Sequence, residues 1–188
     1  MRIRSLFGIT ILAAAAMLSG SAFASPQSAG DACEPARRVF NAPPDAFDFF
    51  IGEWSVLVEE EEVAHVSVAH VFDEKVLSLT FRALGAPWEG RSYIGLDEVG
   101  RWSAIWVDSS PAPSFLFYHG GIEGGVPVLY ATEQHHQPEY YPSGEGAFVC
   151  GRQRFAMLTD DAFTFTWELS ADQGESWSVL DTNTFRRR

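Results

Sequence analysis

The chain has a single lysine, Lys75, and only two cysteines, Cys33 and Cys150, among its 188 residues. Its 13 basic residues face 25 acidic ones, for a formal charge of −12 at pH 7. A surface so poor in cations is repelled by phosphate backbones and anionic lipid, which argues against nucleic acid or a membrane surface as partner. The simplest meaning of the acidity is solubility. Two cysteines without Cys-x-x-Cys spacing do not suggest a metal site, and no cofactor is expected. Nucleophilic catalysis lacks its usual carriers: there is no Gly-x-Ser-x-Gly elbow, and "GRSYIG" falls short of one. Low-complexity segments and tandem repeats are also missing. After the first 24 residues no apolar run approaches the ~20 residues of a spanning helix.

The first 24 residues are themselves informative. Arg2 and Arg4 precede the apolar "LFGITILAAAAML", and "AFA" ending at Ala24 fits a small-residue cleavage site. The expectation is a secretory leader over 1–24, and a periplasmic or extracellular product. Removing the leader takes two basic residues and no acids, leaving 11 basic against 25 acidic groups, a net −14. Export favours disulfides, so Cys33 and Cys150 are expected to pair. Residues 25–45, rich in Ser, Ala and Pro, read as a flexible tail lying over the domain. The remaining 46–188 suit one domain with a sizeable core.

Abundance lies in the aromatics: 15 Phe, six Trp and five Tyr. They recur in runs separated by Gly, Asp, Pro and Ser. "AFTFTWEL" is the clearest: Phe163, Phe165, Trp167 and Leu169 share one face, Thr164, Thr166 and Glu168 the other. The same alternation marks ten strands: 52–58, 64–72, 76–83, 88–96, 101–108, 114–120, 126–132, 148–157, 163–169 and 177–186. Short polar turns join most of them. "GGIEGG" (120–125) reads as a mobile connection, and "EQHHQPEYYPSGEG" (133–146) as a long loop of the kind that can form a lid. "EEEE" (59–62) reads as a solvated hairpin turn. Sequential antiparallel strands in one small domain remove their edges by closing. The expected fold is all-β: a single closed antiparallel up-and-down β-barrel of about ten strands, with a β-sandwich as the alternative.

At the start of the first strand, Gly52-x-Trp54 has a physical use. The glycine permits a sharp entry, and the indole caps the closed end with an apolar disc. The chain ends in "NTFRRR", and the last strand of a closed barrel lies beside the first. Arg186 or Arg187 could therefore cover Trp54 by a cation–π contact, with Arg187 preferred because it shares a face with Phe185.

Three segments together carry a resemblance: "FDFFIGEWSV", "GLDEVGRWSAIWVDSS" and "FTWELSADQGESWSVLDTNTFRRR". They are similar to a family of secreted bacterial lipocalin-like proteins of unknown function in the calycin superfamily. Those proteins open with Asp-Phe-x-x-Gly-x-Trp, carry Trp-x-x-x-Trp-Val-Asp mid-chain, and end in a Gly-Gly-x-x-Trp hairpin and arginines; here the hairpin reads "DQGESW". The resemblance spans 47–188 and implies fold, not activity. Nitrobindin-like relatives hold haem through a histidine near the C-terminus. No histidine follows His136 here, so that role has no matching residue.

The polar residues offer limited chemistry. His65 and His70 are five apart on one strand and point oppositely, so they do not share a metal. His135 and His136 sit in the long loop. His119 shares a face with Phe115 and Phe117, at a parity that could place it at the mouth. Asp108 shares a face with Trp102 and Trp106, and Asp181 with Trp177 and Val179. An acid on an apolar face must pair or shift its pKa, and Arg152 and Arg154 are the proposed partners. Candidate wall residues for a small apolar or aromatic ligand are Trp106, Phe115, Phe117, His119, Tyr130, Phe163, Phe165 and Trp167. Alternation leaves open whether the interior is hollow or packed. The leading expectation is an exported, non-enzymatic binder. The alternatives are a barrel cyclase or isomerase using Asp108, His119 or Asp181, and a packed structural or interaction module. No pattern in the sequence specifies an oligomeric state.

Overall fold

A computed structural model describes residues 33–38, 40, 42–111, 113, 115–132 and 150–188. The expected leader and the 133–146 loop, with His135 and His136, lie outside the described residues. Ten antiparallel strands form one closed barrel: β1 Gly52–Val58, β2 Glu61–Val71, β3 Val76–Ala83, β4 Glu89–Leu96, β5 Trp102–Asp108, β6 Phe115–Glu123, β7 Val126–Ala131, β8 Cys150–Thr159, β9 Ala162–Ser170 and β10 Ser178–Arg187. Each strand pairs with its sequence neighbours, and β1 closes the ring against β10 with Trp54 opposite Arg187. No edge is left unpaired, which answers the edge-strand problem that favoured closure.

The glycine-rich 120–125 segment differs from the expected mobile connection. Strand β6 runs through Glu123 and pairs with β7, leaving only Gly124 and Gly125 as the turn. The expected Glu turn is likewise shorter: Glu59 and Glu60 occupy it at positive φ, and Glu61 and Glu62 belong to β2.

One end of the barrel is plugged. The 3-10 turn Asp48–Phe50 folds inward ahead of β1. Phe47, Phe50, Trp54 and Phe163 are at most 2 % exposed. Phe163 stacks on Phe185 (4.6 Å between centroids) and meets Trp54 and Phe50 edge-on at 4.9 and 5.1 Å. Such pairs add ~0.5–1.5 kcal/mol each beyond the area they bury.

Outside this plug lies the contact that the sequence suggested. The Arg187 guanidinium covers Trp54 at 4.3 Å. It is held there by Nη1 donating to Ile51 O (3.0 Å) and Nε to Asp161 Oδ1 (3.0 Å). Trp54 Nε1 donates to Phe50 O at 2.8 Å, tying the plug to β1. Gly52, at φ +134°, is where only glycine fits: a Cβ would collide with Arg187 Nη1.

The tail crosses the outer wall. Cys33 is disulfide-bonded to Cys150 (Cα–Cα 5.5 Å) across 117 residues. Ala36 and Phe40 bury Val128 and Tyr130 on the outward face of β7, with Trp177 packed alongside. The disulfide fits an oxidising compartment.

Gly52→Ala should lower unfolding free energy by about 1–3 kcal/mol through backbone strain and displacement of Arg187. Arg187→Ala should cost about 0.5–2 kcal/mol, and the double variant less than the sum, because the two changes disrupt one contact. Urea unfolding of the three variants checks this. For Cys33→Ser/Cys150→Ser, or on reduction, the loss should be about 2–4 kcal/mol. The barrel fold should persist, since the strap packs outside, as read by far-UV circular dichroism.

Candidate functional site

The interior divides into two halves. Below, the plug aromatics are fully buried. Toward the opposite rim, where the turns after β1, β3, β5 and β9 lie, inward-pointing Trp88, Trp106, Leu116, Phe165 and Trp167 remain only half-buried. These large apolar groups face inward yet keep part of their surface in solvent, unlike the plug aromatics.

Trp88 and Trp106 lie 6.0 Å apart, and Phe81 meets both edge-on at 5.3 and 6.2 Å. Gly90 makes this possible, because a Cβ there would enter the Trp106 ring. Trp88 Nε1 donates to Ser110 Oγ (3.1 Å), and Trp106 Nε1 donates to Asp108 Oδ2 (3.2 Å). Asp108 Oδ1 also accepts from Ser110 N at 3.0 Å, so this carboxylate orders the rim.

A polar belt continues around the wall. Tyr118, 3 % exposed, is hydrogen-bonded to Gln153, and burial raises its phenol pKa far above the usual range. Gln153 lies opposite Trp167 in the sheet register, Trp167 opposite Asp181, and Phe165 opposite Asn183. Asn183 Nδ2 donates to Asp181 Oδ2 at 2.9 Å.

The expected wall residues therefore separate. Trp106, Phe163, Phe165 and Trp167 point inward, with Phe163 in the plug and the other three toward the opposite rim. Phe115 and Phe117 are on the outer face, 60 % and 44 % exposed. His119 follows them, beside Asp97 and Arg101, with its pKa lowered by burial and then by Arg101. "SFLFYHG" is apolar on both faces, so alternation alone chose the wrong one; Leu116 and Tyr118 are the inward pair. Tyr130 also faces outward, under Phe40 (6.0 Å) and hydrogen-bonded to Glu123 (2.5 Å). Burial and that carboxylate push its phenol up to about 12. Nor do Arg152 and Arg154 serve Asp108 or Asp181. Arg152 binds Glu168 at 2.5 Å and covers Trp177 at 4.1 Å, all on the outer wall. A register shift between Val179 and Asp181 separates Asp181 from the face of Trp177.

Among the inward-facing positions of this half, sequence reasoning passed over Trp88, Tyr118, Gln153 and Asn183. Asn183 was readable: in "LDTNTF" it shares parity with Asp181 and Phe185. A separate recess of about 300 Å³ opens at the plugged end, between Pro44, His70, Lys75, Leu77, Leu96 and Trp102. Among the described residues no group of three His, Cys, Asp or Glu could hold a metal. No protein-family model and no curated protein matches this chain.

The "DQGESW" hairpin serves the outer wall. Asp172 accepts from Ser170 Oγ (2.6 Å), Ser176 N (2.9 Å) and Ser176 Oγ (2.5 Å). Trp177 Nε1 donates to Gly174 O (3.1 Å), which sets its ring against Tyr130. The hydrogen bonds from Ser170 and Ser176 hold the Asp172 carboxyl down at about 2. A depressed acid stabilises the fold above its ordinary value of 3.8 and loses that contribution as pH falls through 2. Hairpin order should therefore decline between about pH 4 and 2. Carboxyl-carbon NMR should titrate Asp172 near 2, and Asp172→Asn should remove the acid-dependent shifts of Ser176 and Trp177.

Proposed function

We propose that this protein is an exported, calycin-like barrel that binds a small apolar or aromatic molecule in its open half. The carrying observation is the contrast between two sets of inward aromatics. Those of the plug are sealed, whereas Trp88, Trp106, Phe165 and Trp167 keep part of their surface exposed. Aromatic walls with a few placed polar groups suit a small-molecule site. The sequence resemblance to secreted lipocalin-like proteins supports the calycin-like barrel, and the disulfide supports export. The unit that binds is the 46–188 barrel, with 1–24 as leader and 25–45 as its strap. A cyclase or isomerase using Asp108, His119 and Asp181 receives less support, since His119 faces outward and Asp108 orders the rim.

Leu116→Trp tests this. In a hollow half the larger ring is accommodated, with a stability loss below about 1 kcal/mol, whereas overpacking a filled core costs about 1–3 kcal/mol. The apolar fluorophore N-phenyl-1-naphthylamine should bind the parent protein and bind the variant much more weakly. Destabilisation without any fluorophore binding to the parent would favour a packed module instead.

A further inference from the structure

We infer that the molecule held in the open half is an aromatic carrying a hydrogen-bond donor, above all a protonated amine, and that Asp181 and Asn183 receive it. The inference rests on the binding reading above and gives it a chemical class. Asn183 is 5 % exposed and faces into the barrel beside Phe165. Its amide nitrogen is committed to Asp181 Oδ2. Its Oδ1 is buried and accepts no hydrogen bond from any described residue. A buried acceptor without a donor is costly, and a ligand N–H or O–H would remove that cost.

The charge around it points the same way. Among the described residues, the inward positions of this half carry Asp108 and Asp181 and neither lysine nor arginine. Asp108 is already engaged by the Trp106 indole and Ser110 N. Arg152, on the strand beyond β9, is committed to Glu168 on the outer wall. Asp181 therefore sits half-buried on an aromatic wall with an amide as its hydrogen-bond partner. A partly desolvated carboxylate in that setting favours a cation. The π-faces of Phe165 and Trp167, opposite Asn183 and Asp181 in the sheet, attract the same charge. An anionic aromatic would meet two carboxylates and an unfilled acceptor.

Three probes sharing one ring separate the possibilities: 2-naphthylmethylamine, 2-naphthylmethanol and 2-naphthylacetate, titrated calorimetrically at pH 7 and about 0.15 M salt to screen remote charge. The amine should bind at least about tenfold tighter than the acetate, with the alcohol between them. Asp181→Asn should collapse the amine-to-acetate ratio toward one. Asn183→Leu should weaken both the amine and the alcohol. Glu98→Gln, on an exposed turn, should leave the ratio unchanged. Equal binding of all three probes by the parent protein overturns this inference and leaves the small-molecule reading standing. So does a ratio that survives Asp181→Asn, because remote charge would then be making the choice. Binding of none of the probes overturns both. The parent series alone decides the matter if a variant fails to fold.

Discussion

The join between the first and last strands governs the rest of the molecule. Ten hairpin-linked strands give a sheet; only the pairing of β1 with β10 makes it a barrel. At that seam three requirements coincide in a few residues. Gly52 leaves room for a guanidinium, Trp54 offers it an apolar face, and Arg187 reaches across to Ile51 O and Asp161. Trp54 also anchors the Phe47–Phe50 plug through Phe50 O. The closure of the sheet and the seal at one end thus share one indole.

That coupling explains the unequal interior. A barrel of ten strands encloses more than small side chains can fill. Here one half is filled by aromatics brought in by the chain entering β1, at no cost to strand pairing. The other half receives no such insert among the described residues, and its large side chains stay partly exposed. The polar belt of Tyr118, Gln153, Asp181 and Asn183 falls in this second half, with Tyr118 and Asn183 buried.

The outer wall has an organisation of its own. The disulfide, the Phe40 strap and the Trp177 hairpin converge on β7 and β8, burying a second apolar cluster outside the barrel. This explains why β7 is apolar on both faces. It also explains why Tyr130, Arg152 and Trp177, which look like site residues by type, are engaged in holding that cover in place.

Much of this was legible in the chain itself. Period-two alternation set nearly every strand, because a strand with one wet face must alternate. The Gly52-x-Trp54 opening and terminal arginines foretold the seam, since each residue has one steric or electronic use there. The Cys33–Cys150 pairing followed from there being only two cysteines in a chain expected to be exported. The inward face of β6 was not legible, because Phe115, Phe117, Leu116 and Tyr118 make both faces apolar and hydrophobicity then carries no sign. Tyr130 misled for a related reason: its outward face is buried by a strap some 90 residues earlier in the chain, and no local pattern records that cover. The position of Asp181 depended on a register shift in β10, which moves a side chain from one face to the other without changing composition. Sequence alone thus determined the strands and their closure, because those follow from local periodicity and edge pairing. Which aromatics seal the barrel and which stay partly exposed was decided only by tertiary packing, since that depends on what the chain places against each face.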